Sequence, residues 1–354
     1  LLTGAKLAIF SPDETKDAFS GGSSVLKVGL LGAGRIGRVH AINIAGHARS
    51  QLVAVSDVNE QAATALADDY GARVATSEAI LNDASINAVL IATSTDTHSD
   101  FMEKATACGK AVLCEKPVDL SLQRAQRCLE AVTKTGAPVM IGFNRRFDPN
   151  FAAIKASVVA GEVGKPELLS ITSFDPAPPP VAYVKVSGGL FRDMMIHDFD
   201  MANFLMGTTP KTVHAAGTSI VDPEIGKAGD VDTAVVTLTY EDGRIAVIKN
   251  SRRAVYGYDQ RVELLGSQGL LSAGNVLENT VSRATQQGVI SAKPEFFFLE
   301  RYKRAYAAEW DSFVKAILDG AAIPVTLQDG VDALALAEAA TQSAQSGQTI
   351  KLAG

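Results

Sequence analysis

The stretch Leu26-Lys27-Val28-Gly29-Leu30-Leu31-Gly32-Ala33-Gly34-Arg35-Ile36-Gly37 (LKVGLLGAGRIG) decides the fold. Leu26–Leu31 is a short apolar run with the look of a buried strand, and a helical pattern runs from the glycines toward Gly46. GxGxxG alone is a weak sign; set between a strand and a helix it becomes a specific one. Gly32 allows the tight turn, Gly34 lets backbone approach a pyrophosphate, and Gly37 lets the helix pack on the strand. Arg35 and Ile36 open the helix whose N-terminus would hold the phosphates. A second apolar run, Leu52–Val55, ends in Ser56-Asp57, and Asp57 stands twenty positions after Gly37. A carboxylate there accepts from ribose hydroxyls and repels a 2′-phosphate, so NAD is the expected cofactor. Val58 and Asn59 follow it, and Arg35 is the nearest arginine that would have to reach a 2′-phosphate.

Working outward, three more apolar runs follow: Ala88–Ala92, Ala111–Cys114 and Val139–Ile141, with helical patterns between them. Runs of this kind mark a parallel sheet covered by helices. Ligands of open α/β sheets bind just past the strand ends. Those positions hold Thr93-Ser94-Thr95-Asp96-Thr97-His98, then Glu115-Lys116-Pro117, then Gly142-Phe143-Asn144-Arg145-Arg146. Thr93, Ser94, His98 and Glu115 are accordingly candidates for the cofactor side. Lys116, wedged between a strand end and a proline, is placed to reach both a cofactor edge and a substrate hydroxyl, where its ammonium would stabilise developing negative charge.

The texture changes near Asp148-Pro149-Asn150, which divides the chain into a nucleotide-binding half, 25–148, and a second domain, 149–354, for substrate and self-association. Alternating strands are expected at Leu168–Phe174, Thr212–Ser219, Thr233–Tyr240, Ile245–Asn250 and Gln260–Leu265, with Glu241-Asp242-Gly243-Arg244 as a hairpin turn. They predict a large, mostly antiparallel sheet with helices on one face and the other free to meet a partner subunit. A proline cluster, Asp175-Pro176-Ala177-Pro178-Pro179-Pro180, forms a stiff loop, and helices close the chain at about 298–318 and 327–346.

Gly188–Gly207 (GGLFRDMMIHDFDMANFLMG) reads as a helix, with Leu190, Met194, Met201 and Leu205 along one side. Asp193 and His197 are four apart and would share a face. The carboxylate would then fix the imidazole tautomer and raise its basicity, leaving the other nitrogen for proton transfer.

Composition narrows the class. The 354 residues suit two domains, 47% are hydrophobic, and the net charge of −6 argues against a nucleic-acid footprint. Three cysteines (Cys108, Cys114, Cys128) without a CxxC or Cys/His ligand set point to reduced thiols in a cytoplasmic protein, and no apolar run reaches the length of a membrane span. The five histidines form no metal-binding pattern, and no metal is expected. Leu1–Ser24 lacks a signal-peptide pattern and reads as a flexible extension or leader.

With these residues in hand, the sequence from about Lys27 to Leu352 resembles the glucose–fructose oxidoreductase / inositol dehydrogenase family, and within it the bacterial inositol dehydrogenases. The motifs that carry the resemblance are GLLGAGRIGRVHA, AVSDVN, CEKP, GFNRRFDPNF, DPAPPP and GGLFRDMMIHDFDMANFL. It implies a Rossmann domain joined to an α/β domain on a large open sheet. It implies Lys116, Asp193 and His197 as the reacting set. Arg146 and Asp175 would stand near a polyol, with one of Tyr256 and Tyr258, a choice that stays open without strand direction. Ser94 stands where many relatives carry proline.

The implied reaction is NAD-dependent oxidation of a cyclic polyol, myo-inositol at its axial hydroxyl, in a homotetrameric enzyme of inositol breakdown. The alternatives are another inositol isomer, an aldose, or a nucleotide-sensing regulator without turnover. The intact Lys116/Asp193/His197 set speaks against the last.

Overall fold

The structure is a computed structural model that describes residues 25–352. The expectation for Leu1–Ser24 lies outside the described residues.

Six strands form the first sheet: β1 (Leu26–Leu31), β2 (Ser50–Ser56), β3 (Arg73–Val74), β4 (Ala88–Ile91), β5 (Ala111–Glu115) and β6 (Val139–Gly142). Their order is β3-β2-β1-β4-β5-β6 and every neighbouring pair is parallel. Between them run α1 (Arg35–Gly46), α2 (Glu60–Tyr70), α3 (Ser77–Asn82), α4 (His98–Ala107) and α5 (Leu122–Thr135). Leu26, Val28, Leu30 and Leu31 of β1 are fully buried, as a central strand covered by helices requires. The order reverses between β1 and β4, and such a switch point opens a crevice at the carboxyl ends of the strands.

The second sheet is built from β7 (Pro166–Phe174), β8 (Thr212–Thr218), β9 (Thr233–Thr239), β10 (Ile245–Ser251), β11 (Asp259–Gly266), β12 (Gly269–Ala273) and β15 (Ile350–Lys351); β13 (Ser282–Thr285) and β14 (Gly288–Ser291) form a separate hairpin. Its order is β12-β11-β7-β10-β9-β8-β15; β7 and β10 pair parallel and the other neighbours antiparallel. The predicted hairpin joins β9 to β10, with Tyr240 and Arg244 bonded across it and Gly243 at φ +86°. Ala234, Val236 and Leu238 of β9 alternate inward with outward Val235. β12 and β15 escaped the sequence reading because each is too short to establish a period.

Helices α6 (Pro149–Val159), α7 (Val181–Ser187), α8 (Gly189–Asp193), α9 (Ile196–Met206), α10 (Pro223–Lys227), α11 (Phe298–Arg301), α12 (Lys303–Asp319) and α13 (Leu327–Ser346) complete the chain. The last two return to the first sheet. Trp310 Nε1 of α12 donates to Ser50 Oγ at 2.9 Å, and Ile141 N of β6 donates to Val325 O at 3.1 Å. Gly330 of α13 sits where a Cβ would lie 2.6 Å from the Val118 side chain. The two sheets are thus held in a fixed relation by chain that is distant in sequence.

Among the described residues no helix is long and apolar enough to cross a membrane, and no group of three or more His, Cys, Asp or Glu is arranged to hold a metal ion. The three cysteines are free thiols, with Cys114 and Cys128 buried.

Candidate active site

The glycine loop is set by backbone contact. Gly32 adopts φ +102°, and a Cβ there would lie 2.3 Å from Ala92 O. A Cβ on Gly37 would lie 2.0 Å from Gly32 O, whereas nothing stands within 4 Å of one on Gly34. Two glycines are therefore demanded by packing, and the third leaves open space where a pyrophosphate would approach. Asp57 is fastened beside this space: Oδ2 accepts from Ala33 N at 2.6 Å and Oδ1 from Asn59 N at 2.7 Å. These residues fit an NAD cofactor.

The other nucleotide-side candidates fall around this crevice with differing freedom. The Arg35 guanidinium lies over the rings of Phe297 and Phe298, at 5.8 and 5.5 Å from their centroids. Ile36 is half-buried in the first turn of α1. Thr93 Oγ1 bonds Thr97 Oγ1 at 2.6 Å, and Ser94 O accepts from Thr97. Glu115 Oε1 accepts from buried His40 Nε2 at 2.7 Å. His98 is buried with its two ring nitrogens on Pro117 O (2.8 Å) and Thr93 O (3.1 Å). It ties two crevice loops together, and burial holds its pKa below the ordinary histidine value.

The expected continuous helix through Asp193 and His197 is corrected. Residues Met194 and Met195 interrupt it, separating α8 from α9. Met194 N and Met195 N both donate to Leu190 O, the second bond spanning five residues, so the turn is widened as in a π-bulge. The break ends the regular one-turn stacking of Asp193 on His197, and among the described residues no hydrogen bond joins the two. The break has a chemical consequence. In an unbroken helix the Asp193 carbonyl would accept from His197 N; here it accepts from Lys116 Nζ at 2.8 Å. The same ammonium stands 3.5 Å from Asp193 Oδ1, which also accepts from Tyr183 OH at 3.0 Å.

His197 is half-buried, its ring edge-on to Phe143 at 5.9 Å, and its buried Nδ1 has no partner. Withdrawal from water, then the charges of Lys116 and Arg145, push its pKa well below the histidine norm. The ring is neutral at physiological pH and able to take a proton.

The two adjacent arginines separate. Arg146, expected near a polyol, donates to both oxygens of Asp200 and to Asp329 Oδ1 and Pro324 O. Its donors join the loop after β6 to α9 and α13. Arg145 is the one whose charge reaches His197 and Asp175. Its Nη1 donates to Asp198 Oδ1 at 2.6 Å and Ser173 Oγ at 3.0 Å, and Nη2 lies 3.5 Å from Tyr258 OH. The two tyrosines differ as well. Tyr258 is buried beside Arg145, while Tyr256 is 46% exposed and gives its hydroxyl to Asp259 at 2.5 Å.

Asp175, at the end of β7, is half-buried with its carboxylate free of hydrogen bonds. Burial raises its pKa to about 6, against the lowering charges of Arg252 and Arg145. Tyr183 and Arg252 were not singled out from the sequence, and Arg145 and Asp198, though they stand inside quoted motifs, were given no role there. Only the crossing of α7, α9 and β10 with the loop after β6 brings the four together. A surface groove of about 490 Å³ between α6 and β12, lined by Asn150, Ile154 and Leu271, holds no titratable group and lies apart from this cluster.

A parallel sheet with an open glycine loop, facing a neutral histidine and a lysine, defines a nucleotide-dependent oxidoreductase. The comparisons place it further: residues 26–143 match the oxidoreductase family with an NAD-binding Rossmann fold, and residues 151–272 match the GFO/IDH/MocA C-terminal domain. The chain belongs to the GFO/IDH/MocA family and binds NAD.

It is 48% identical to the inositol 2-dehydrogenase of Rhizobium meliloti strain 1021, over 93% of this chain and 99% of that one. A crystal structure of a myo-inositol dehydrogenase from Corynebacterium glutamicum superposes with TM-score 0.90 at 43% identity, covering 93% of this chain and 99% of that one. A scyllo-inositol dehydrogenase from Lactobacillus casei, solved with NAD(H) and scyllo-inositol, superposes with TM-score 0.86 at 29% identity, covering 92% and 99%.

Proposed function

We propose that the protein is an inositol 2-dehydrogenase, oxidising the axial hydroxyl of myo-inositol to the 2-keto inosose. The observation that carries the reading is the juxtaposition of an unpartnered, neutral His197 with the Lys116 ammonium at the mouth of the NAD crevice. Bound NAD supplies the acceptor for the carbinol hydrogen.

The chain's own residues do the rest. His197 takes the hydroxyl proton, for which its depressed pKa keeps a lone pair available. Lys116, steered by the Asp193 carbonyl and carboxylate, donates to the same oxygen and stabilises the charge that develops on it. Asp175 and Asp193 accept from other ring hydroxyls, and Arg145 and Tyr258 close the far side of the pocket. Three cations (Lys116, Arg145, Arg252) stand with three carboxylates (Asp175, Asp193, Asp198), a balance that suits an uncharged polyol better than a sugar acid.

The reading extends to organisation. Residues 25–148 serve the nucleotide, and 149–354 serve the substrate and self-association in a cytoplasmic enzyme of inositol breakdown. Leu270, Leu265, Leu168 and Ile245 are cross-strand neighbours on the outer face of the second sheet, each between 39% and 53% exposed. This apolar row supports a homo-oligomer, in our reading a tetramer, whose mass light scattering would report.

The activity is tested by following NADH absorbance with NAD⁺ and myo-, scyllo- and chiro-inositol and simple aldoses. Turnover of myo-inositol with the highest kcat/KM is expected. A preference for another isomer would reassign the substrate, and no turnover of any polyol would overturn the reading.

A further inference from the structure

We propose that Arg252 is a positioning residue of this reaction, its buried guanidinium set near Asp175 and Asp193 so that the Asp175 carboxylate stays ionised and both carboxylates stay turned toward the bound polyol. The inference rests on the proposed polyol reading for its consequence, but its structural basis is separate.

Arg252 follows the last residue of β10 and is 2% exposed. Its placement is dictated by backbone bonds that clamp the segment around it to Asp175. Asp175 N donates to Ser251 O at 2.9 Å, and Ala254 N donates to Asp175 O at 2.8 Å. Arg252 N itself donates to Asp232 O at 2.8 Å. The backbone around Arg252 is thereby held beside that of Asp175, whose carboxylate feels its charge, and Nη2 reaches to 3.6 Å from Asp193 Oδ2.

What sets this arginine apart is that Nε and Nη2 are buried without any hydrogen-bond partner. Arg301 and Arg145 also leave nitrogens unpaired, yet each makes a close bond to a carboxylate, Asp148 and Asp198. Arg252 makes none, and a buried charge in that state is costly unless it acts on charges nearby. The groups facing the two carboxylates are Lys116 from the end of β5, Tyr183 from α7, Arg145 from the loop after β6 and Asp198 from α9. The Asp175 carboxylate has no hydrogen bond to keep it ionised, and its charge is sustained by Arg252 first and Arg145 second, against burial and the repulsion of Asp193 and Asp198. Without Arg252, two cations would face three carboxylates, and a proton would take the place of the missing charge.

The test compares wild type with Arg252→Gln and Arg252→Lys. Carbon-13 NMR of aspartate-labelled protein, assigned with Asp175→Asn, reads the carboxyl titration without any substrate. In parallel, kcat/KM is followed from pH 5 to 9 with the polyol that wild type oxidises, and NADH affinity by fluorescence. Wild type is expected to titrate near pH 6, with activity lost below that pH because the ionised carboxylate is the acceptor. Arg252→Gln should move both midpoints up by about one unit and raise KM for the polyol about tenfold, while NADH affinity is unchanged. Arg252→Lys keeps the charge and should hold the midpoint close to that of wild type.

A Gln midpoint indistinguishable from wild type overturns the proposal, and so does a Lys midpoint that moves as far as the Gln one. A merely structural role would lower the folded fraction without moving either midpoint. If Arg252→Gln does not fold, Arg252→Met takes its place as the neutral variant under the same criterion. Failure of wild type to oxidise any polyol overturns the function reading alone, because the NMR midpoints still answer for Arg252.

Discussion

The glycine loop and the reacting cluster are built by different means. The loop is a local object: Gly32 and Gly37 are required because a Cβ would run into backbone oxygen at 2.3 and 2.0 Å, and Asp57 is fixed by two backbone N–H groups. The cluster is assembled from the ends of β5, β7 and β10, the broken helix α8–α9, the loop after β6 and the helix α7. It is held by side-chain charge more than by backbone. Sterics make the loop tolerant of surface change and intolerant of any side chain at two positions. Electrostatics make the cluster sensitive to single charges and to pH.

The sharpest way to break this contrast is His197→Ala. It should reduce kcat by about 10²–10⁴-fold, the usual worth of a positioned general base, and leave NADH affinity untouched. Stopped-flow turnover and fluorescence titration report the two separately; a parallel loss of NADH binding would show that loop and cluster are not independent. Because the folded-state pKa of His197 is depressed, the unfolded chain binds the extra proton, and His197 makes stability fall as pH drops below about 6.5. The alanine variant should lose that part of the acid sensitivity in urea melts.

Next come the neighbouring arginines, which test charge against scaffold within the cluster itself. Arg146→Ala strands buried Asp200 and should cost about 3–5 kcal/mol of stability in denaturant titrations. Arg145→Lys, which keeps the charge and loses the fork, should instead lower kcat/KM by about tenfold or more with a smaller effect on stability. Reversed outcomes would return Arg146 to the pocket.

On the loop side the expected effect is smaller. NAD⁺ should be preferred over NADP⁺ by at least about tenfold in kcat/KM, or roughly 1.4 kcal/mol, and Asp57→Ser should erode it. With its guanidinium over the Phe297 and Phe298 rings, the Arg35 of the glycine loop is engaged elsewhere than at a 2′-phosphate. Equal efficiency with both cofactors in wild type would show that Asp57 does not face the ribose.

The smallest difference is between the tyrosines. Tyr258→Phe should lower kcat/KM about fivefold, the loss of one ordinary hydrogen bond near 1 kcal/mol, while Tyr256→Phe should be silent. Steady-state kinetics on the pair decide whether Tyr258 meets the substrate.

By itself the sequence determined the parallel sheet, the glycine loop with Asp57, the strand-end placement of Lys116, and most strands and the hairpin of the second sheet. These are written in contacts between residues close along the chain, where apolar period and glycine position carry the information. The tertiary structure alone decided the rest. It placed a break at Met194–Met195 that parts Asp193 from His197 and frees a carbonyl for Lys116. It set Arg145 beside Tyr258, bound Arg146 to Asp200 and Asp329 and Tyr256 to Asp259, and brought Arg252 to Asp193, 59 positions away, with its charge acting on Asp175, 77 positions away. The physical reason is range: sterics and hydrogen bonding act between neighbours, but a charge acts on whatever the fold sets beside it.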